Sequence, residues 1–128
     1  MFIAEDDKEF DALWERYAPL LQKALDRCCE GTWWLSDVKQ AVMEGRMQFW
    51  HTENAAVVTE ILYYPRKSAL NCWLCGGRMT EMVDMYGSLE HFAREQGCYA
   101  MYGAGRKGWG KVMQPFGWKA DQHVKKVF

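Results

Sequence analysis

The chain of 128 residues is long enough for one domain with its own core and short for two. Hydrophobic residues make up 49% of it and charged residues 26%, which excludes a disordered or low-complexity chain. The net charge of −1 argues against strong nonspecific binding of nucleic acid. No apolar run reaches the roughly 18 residues of a membrane-spanning helix, and the first residues are acidic where a signal peptide is basic. We expect a single cytoplasmic domain over residues 1–128, with neither a membrane nor a nucleic acid as partner.

The charges are unevenly distributed along the chain. Residues 1–64 carry six basic and twelve acidic side chains, whereas residues 65–128 carry ten basic and five acidic ones. The basic residues near the C-terminus either form a solvated face that complements the acidic half, or bind a phosphate-bearing ligand or an acidic partner. We favour the first interpretation.

The five cysteines do not form the pattern of a secreted disulfide framework, because their number is odd and Cys28 and Cys29 are adjacent. Cys72 and Cys75 have the spacing of a metal-binding pair, but no second pair is present and we expect no metal. Both lie in a predicted strand, where their side chains would point to opposite faces of the sheet. We therefore expect them to be buried free thiols.

Two helices are predicted in the first third of the chain. Apolar residues recur at helical spacing from Lys8 to Cys29, and Pro19 within this run predicts a kink or a break. A second, shorter helix is predicted to start at Ser36, which would cap it, and to end at Gly45.

Three strands follow, over Arg46–Thr52, Ala55–Tyr64 and Ala69–Cys75. The second is rich in β-branched and aromatic residues, and the third is apolar on both faces apart from Asn71. The connections are short and carry turn residues, so the pattern predicts an antiparallel meander.

The hydrophobic period then changes to that of a helix over Thr80–Gln96, followed by a short apolar strand over Cys98–Tyr102. A strand, a helix and a strand in series form a βαβ unit, whose strands are parallel with a right-handed crossover. A short helix over Lys107–Gln114 and a last strand to Phe128 complete the prediction. The fold class is thus α+β: a mixed sheet, an antiparallel meander followed by one parallel βαβ crossover, with helices on both faces.

This order of elements resembles the GNAT-type superfamily of N-acyltransferases, which use acetyl-CoA. The resemblance covers nearly the whole chain as a pattern of elements. Its best local match is the helix end Arg94–Cys98, followed by a strand, a short helix and the turn Pro115–Trp118. The stretch 103–113 also resembles small, degenerate GNAT-like proteins of phages and prophages.

The resemblance implies a cofactor site where the strand before the crossover meets the crossover helix. Backbone N–H groups at such a helix start bind the pyrophosphate of CoA. The matching residues here are Gly76, Gly77, Arg78, Met79 and Thr80. Their spacing departs from the superfamily loop, and Glu81 and Asp84 would repel a pyrophosphate from the first helical turn. We favour the simpler interpretation, a strand-to-helix turn.

The resemblance also implies a tyrosine as general acid four residues before the glycine of the last turn. That position holds Met113, which has no proton to donate. Tyr102 is a candidate substitute, and Glu60 is a candidate general base because it lies inside a predicted strand. The alternative for Glu60 is a solvated face of the sheet, and we favour it.

Two hypotheses for the function follow. The first is a GNAT-fold protein that no longer acylates, binds no cofactor, and acts as a phage- or prophage-type structural or interaction component. Its partner would be a protein, either a second copy or a virion protein, in the host cytoplasm or the virion. The alternative is an active acetyl-CoA-dependent N-acetyltransferase with an atypical pyrophosphate loop. A crevice between the strands of the βαβ unit that Met, Trp or Glu side chains fill would favour the first. Strands that splay apart there, with free N–H groups from Gly77 to Thr80 facing the gap, would favour the alternative.

Overall fold

A computed structural model describes residues 7–103, 109–120 and 124–128. Its helices and strands, in chain order, are α1 (Asp7–Cys28), α2 (Leu35–Met43), β1 (Met47–His51), β2 (Ala55–Tyr63), β3 (Ser68–Gly77), α3 (Met79–Glu95), β4 (Ala100–Gly103) and α4 (Trp109–Met113), with a 3-10 turn at Gln114–Phe116. Within this part of the chain, no helix combines the length and the apolar character needed to cross a membrane.

The strands form one sheet in the order β1-β2-β3-β4. The pairs β1–β2 and β2–β3 are antiparallel, whereas β3 and β4 are parallel and are connected through α3. This confirms the predicted meander followed by one βαβ crossover.

Helices cover both faces of the sheet, as predicted. The core on the first face joins α1 and α2 to the sheet through buried residues that include Trp14, Tyr17, Leu21, Phe49 and Leu74. The core on the second face joins α3 to the sheet through Trp50, Val57, Cys72, Met82, Met85 and Leu89, among others. We call these two clusters the α1 core and the α3 core.

The predicted break at Pro19 does not occur, because α1 is one continuous helix through that residue. Tyr17 and Leu21 are buried on either side of Pro19, so both halves of the helix contribute to the α1 core. Pro19 itself is exposed.

The start of α2 differs from the prediction that Ser36 caps it. The helix begins at Leu35, and the carboxylate of Asp37 accepts a hydrogen bond from the backbone N–H of Trp34 at 2.9 Å. Ser36 therefore lies inside the first turn, and the side chain that closes the helix start is that of Asp37.

The short strand β4 begins two residues later than predicted. The backbone N–H of Cys98 donates to the carbonyl of Ala93 at 2.9 Å, and Gly97 adopts a φ of +75°. The backbone N–H of Cys98 therefore belongs to the C-terminal cap of α3, and the strand begins after it.

The predicted last strand to Phe128 is wrong. Residues 118–120 and 124–128 lie in no strand, and Val124, Val127 and Phe128 are exposed. A strand forms only where a neighbour accepts its hydrogen bonds. Of the helix predicted over Lys107–Gln114, the described part is α4, and residues 104–108 lie outside the described residues.

Cys72 is a buried free thiol, as expected, whereas the free thiol Cys75 is only partly buried, and the two do not point to opposite faces. Both contact the α3 core. The reason is an irregularity in the β2–β3 pairing, where Val58 lies opposite Leu74 and the next residue of β2 lies opposite Cys72, so Trp73 is bulged. Among the described residues, no three side chains of the metal-binding types gather at one point.

Candidate functional site

The two glycines at the end of β3 are required by close packing. Gly77 has a φ of +105°, and a Cβ there would lie 2.1 Å from the carbonyl oxygen of Asn54. A Cβ on Gly76 would lie 2.6 Å from the carbonyl oxygen of Leu20 in α1. The β1–β2 turn and α1 therefore both lie in close contact with the end of β3. This close packing accounts for the two glycines without a ligand.

The β1–β2 turn is fixed to the start of α3 by Glu81. Its carboxylate accepts hydrogen bonds from the hydroxyl of Thr52 at 2.7 Å and from the backbone N–H of Asn54 at 2.8 Å. The backbone N–H of Arg78 donates to the carbonyl of Asn54 at 3.0 Å. These hydrogen bonds, that from Thr52 above all, lower the pKa of Glu81. The carboxylate is thus turned toward β2, away from β4.

The predicted first turn of α3 is corrected in one respect. The helix starts at Met79, so Glu81 lies in the first turn and Asp84 in the second. Among the described residues, none accepts a hydrogen bond from the backbone N–H groups of Met79 and Thr80. The N–H groups of Met79 and Thr80, at the positive end of the helix dipole, are therefore available to an acceptor. The carboxylate of Glu81 is bonded to Thr52 and Asn54 instead.

The described pairing of β3 with β4 covers Ala69–Cys72 and Ala100–Gly103, whereas β3 continues to Gly77. We call the region beside β3 after Cys72, on its α3 face, the crevice. The indole of Trp118 lies at its beginning, because a Cβ on Gly103 would be 3.2 Å from the Trp118 ring and 4.0 Å from Cys72 Cβ.

Trp118 is held in this position from the α3 side. Its ring contacts that of Tyr86 in an edge-to-face arrangement at 6.4 Å, and Tyr86 also contacts Phe116 at 5.0 Å. Burial raises the pKa of the Tyr86 hydroxyl. The segment after α4 therefore folds back onto α3 and closes the beginning of the crevice with aromatic rings.

Trp109, at the start of α4, packs against the α3 core together with Cys75, Met79 and Met101. Its indole N–H is buried and has no hydrogen-bond partner among the described residues. Met113, at the other end of α4, is 6% exposed. An unpartnered buried donor is uncommon and marks a place where an acceptor would be stabilised.

Comparison with known proteins supports one fold. No protein-family model and no curated protein matches the sequence. Among solved structures, the chain is similar to the crystal structure of an acetyltransferase of Trypanosoma brucei, with a TM-score of 0.57 and 10% sequence identity. The match covers 83% of this chain and 88% of that chain. The fold is GNAT-like. At this identity the similarity concerns the fold alone.

Two features bear on the cofactor that a GNAT-like fold implies. The free N–H groups of Met79 and Thr80 suit a phosphate, whereas Trp118 lies beside Gly103, at the end of the described pairing of β3 with β4. Trp109, Met79 and Met101 add further apolar side chains around the α3 core.

Glu60 and Tyr102 lie on the opposite face of the sheet from Trp118. Asn71 is paired with both of them in the sheet, and its amide donates to the carboxylate of Glu60 at 3.2 Å. Since Cys72 faces α3, its neighbour Asn71 faces the other side. The sheet thus brings the two predicted residues into one row, but away from the crevice.

Tyr102 belongs to a cluster of tyrosines at this end of the sheet. Its hydroxyl is hydrogen-bonded to that of Tyr99, and Tyr64 lies close to it. The bond with Tyr99 raises the pKa of Tyr102 to about 12. A phenol with this pKa is a weak proton donor at neutral pH, so the cluster does not supply the missing general acid.

His51 is held in a partly buried aromatic environment beside the β1–β2 turn. Its ring stacks on Phe49 at 5.6 Å, and its Nδ1 lies 3.2 Å from the hydroxyl of Tyr17. Burial lowers the pKa of His51, with a smaller contribution from the positive charge of Arg16. The neutral form is therefore the one that the fold stabilises.

We expect the free energy of unfolding to fall as the pH is lowered from about 7 to about 5. The folded chain holds the pKa of His51 below its unfolded value, so the unfolded chain binds more protons in this range. Urea unfolding at several pH values measures the slope. His51→Phe should reduce it, whereas Gly87→Ala in α3, which changes no titratable group, should leave it unchanged. An unchanged slope in His51→Phe would assign the effect to other groups.

Sequence reasoning missed Tyr86 and Asn71 as parts of these two surfaces, and it did not place Trp118 against α3. Trp118 was assigned to a turn, and nothing in the sequence shows that the turn folds back onto α3. Asn71 could have been recognised from the sequence, because it is the polar residue in an otherwise apolar strand. Its partner Glu60 could not be inferred, because the pairing depends on the bulge at Trp73.

Proposed function

We propose that this chain is a GNAT-fold protein that does not transfer acyl groups and that acts by binding another protein. The observation that carries the proposal is the position of Trp118, whose ring lies beside Gly103 at the end of the described pairing of β3 with β4. We expect a cofactor thioester to need this place, and it holds an indole in edge-to-face contact with Tyr86. Aromatic rings packed in this way contribute to the stability of the fold.

The residues around the crevice give further support. Met113 takes the place of the expected general acid and is buried. Glu60 and Tyr102 are on the other face of the sheet, so neither is placed to exchange a proton with a group bound in the crevice. The placement of these three described residues supports a GNAT-like fold that does not transfer acyl groups.

An exposed aromatic surface supports a protein as the partner. Tyr63 and Tyr99 are 79% and 54% exposed, and the ammonium group of Lys67 lies 4.9 Å from the centre of the Tyr99 ring. Tyrosines are enriched in protein interfaces. The resemblance of residues 103–113 to phage and prophage proteins points to a structural component of a virion as the setting.

Thermal unfolding with acetyl-CoA and with free CoA tests the proposal. We expect no saturable rise of the melting temperature up to millimolar ligand, since a ligand at a hundredfold excess over its Kd would add about 2.7 kcal/mol. A saturable rise that Arg78→Glu abolishes and Arg66→Glu leaves intact would overturn the proposal. Both arginines are exposed, and Arg66 lies in the β2–β3 turn at the other end of β3.

An active N-acetyltransferase is the second candidate, and one observation favours it. The buried N–H of Trp109 has no partner among the described residues, and the N–H groups of Met79 and Thr80 are open nearby. These donors would suit an acyl-CoA if Trp118 moved aside. The same titration decides between the candidates, because only this one requires a CoA-dependent shift.

A further inference from the structure

A disulfide bond joins Cys28 to its neighbour Cys29 at the C-terminal end of α1. The remaining cysteines, Cys72, Cys75 and Cys98, are free thiols. Disulfides of this exposed kind are the readily reduced ones, and in reducing compartments they serve as transient or sensing bonds. We propose that the Cys28–Cys29 pair is a reversible thiol–disulfide exchange site for small thiols, and that its state controls the attachment of the C-terminal segment, residues 124–128.

The two sulfur atoms differ in their access to solvent. Cys28 is exposed, whereas Cys29 is partly buried and packs against the α1 core. An incoming thiolate therefore attacks the sulfur of Cys28, the S–S bond breaks, and Cys29 leaves as a thiolate that takes up a proton. A second thiol attacks the mixed disulfide and releases Cys28. Two thiols are thus oxidised to one external disulfide while the protein disulfide is reduced to two thiols.

The bond lies directly before a turn with unusual backbone geometry. Glu30 has a φ of +45° and is the one residue other than glycine with a positive φ among the described residues. Such a conformation costs about 1–3 kcal/mol and persists only where neighbouring structure imposes it. The covalent link between Cys28 and Cys29, together with the bond from the N–H of Thr32 to the carbonyl of Cys29 at 2.7 Å, closes this turn from both sides.

Glu30 in turn holds the C-terminal segment. Its carboxylate forms an ion pair with the ammonium group of Lys125. The apolar residues of the same segment, Val124, Val127 and Phe128, are exposed and give it little other anchorage. When reduction releases the turn, Glu30 leaves its left-handed conformation and the carboxylate moves away from Lys125.

Counting thiols on the wild-type chain tests the exchange site. In denaturant without reductant we expect three reactive thiols, and after treatment with dithiothreitol all five cysteines. Intact mass should rise by two hydrogen atoms. Five thiols before reduction in air-equilibrated buffer, or three after it, would overturn the proposal. Because the other cysteines are already free, the reductant acts at this pair alone.

Limited tryptic cleavage after Lys125 and Lys126 tests the coupling. Loss of one exposed ion pair should make cleavage about two- to fivefold faster in the reduced protein. Glu30→Gln should be cleaved rapidly in either state, and Cys28→Ser/Cys29→Ser should not respond to the reductant. Equal rates for the oxidised and reduced wild type would refute the coupling, and this comparison needs no variant to fold.

Discussion

Gly77→Ala is expected to lower the free energy of unfolding by about 3–5 kcal/mol, combining backbone strain with a steric clash. The φ of Gly77 is +105°, which an alanine rarely adopts. The added Cβ would also lie 2.1 Å from the carbonyl oxygen of Asn54 and 2.6 Å from the Cα of Ala55. Both neighbours are backbone atoms, so relief requires the β1–β2 turn to move off the start of α3.

Movement of that turn would break contacts beyond the glycine. The carbonyl of Asn54 accepts the N–H of Arg78, and the carboxylate of Glu81 holds Thr52 and Asn54. Urea unfolding followed by circular dichroism measures the loss. Gly87→Ala is the matched control, because Gly87 lies inside α3 with nothing within 4 Å of an added Cβ. It should gain up to about 1 kcal/mol. Equal stabilities of the two variants would show that the turn is not docked on Gly77.

The fold could be predicted largely because its elements are strongly periodic. The helical spacing of Met82, Met85 and Leu89 gave α3, and these residues do form its buried face. The meander followed from short connections between β-rich runs. The prediction of the last strand was wrong for the opposite reason. A last strand depends on a neighbouring strand, and sequence alone does not show whether β4 offers it a free edge.

The candidate site was harder to predict because it depends on contacts between distant parts of the chain. The sequence placed Glu81 at a helix start and so predicted repulsion of a phosphate. The structure turns its carboxylate toward Thr52 and Asn54, a contact that no local pattern encodes. Likewise, Glu60 and Tyr102 were separate candidates, and only the strand register through Asn71 places them in one row.

Phe49→Ala is expected to lower the free energy of unfolding by about 3–5 kcal/mol. The Phe49 side chain is 0% exposed at the centre of the α1 core. Four rings surround it at centroid distances of 5.5–6.5 Å, those of Phe10, Trp14, Tyr17 and His51. Truncation leaves a cavity between α1 and β1 that large, interlocked rings cannot readily fill, and it removes favourable aromatic pairs.

The effect should extend to the β3–α3 junction. Phe49 packs on Tyr17, whose hydroxyl donates to the carbonyl of Thr52 at 2.5 Å, and Thr52 in turn donates to Glu81. Faster hydrogen exchange at the amides of Asn54 and Arg78 should therefore accompany the loss of stability. Protection of these amides at the wild-type level in a destabilised variant would separate the α1 core from the junction.

Phe116→Ala provides the comparison for the same chemical change at a surface position. Phe116 is 44% exposed, and its ring contacts Tyr86 at 5.0 Å. We expect this variant to lose less than about 1 kcal/mol, since little apolar area returns to water and no closed cavity forms. A loss as large as that of Phe49→Ala would mean that the aromatic cluster around Trp118, and not the α1 core, carries the greater share of the stability.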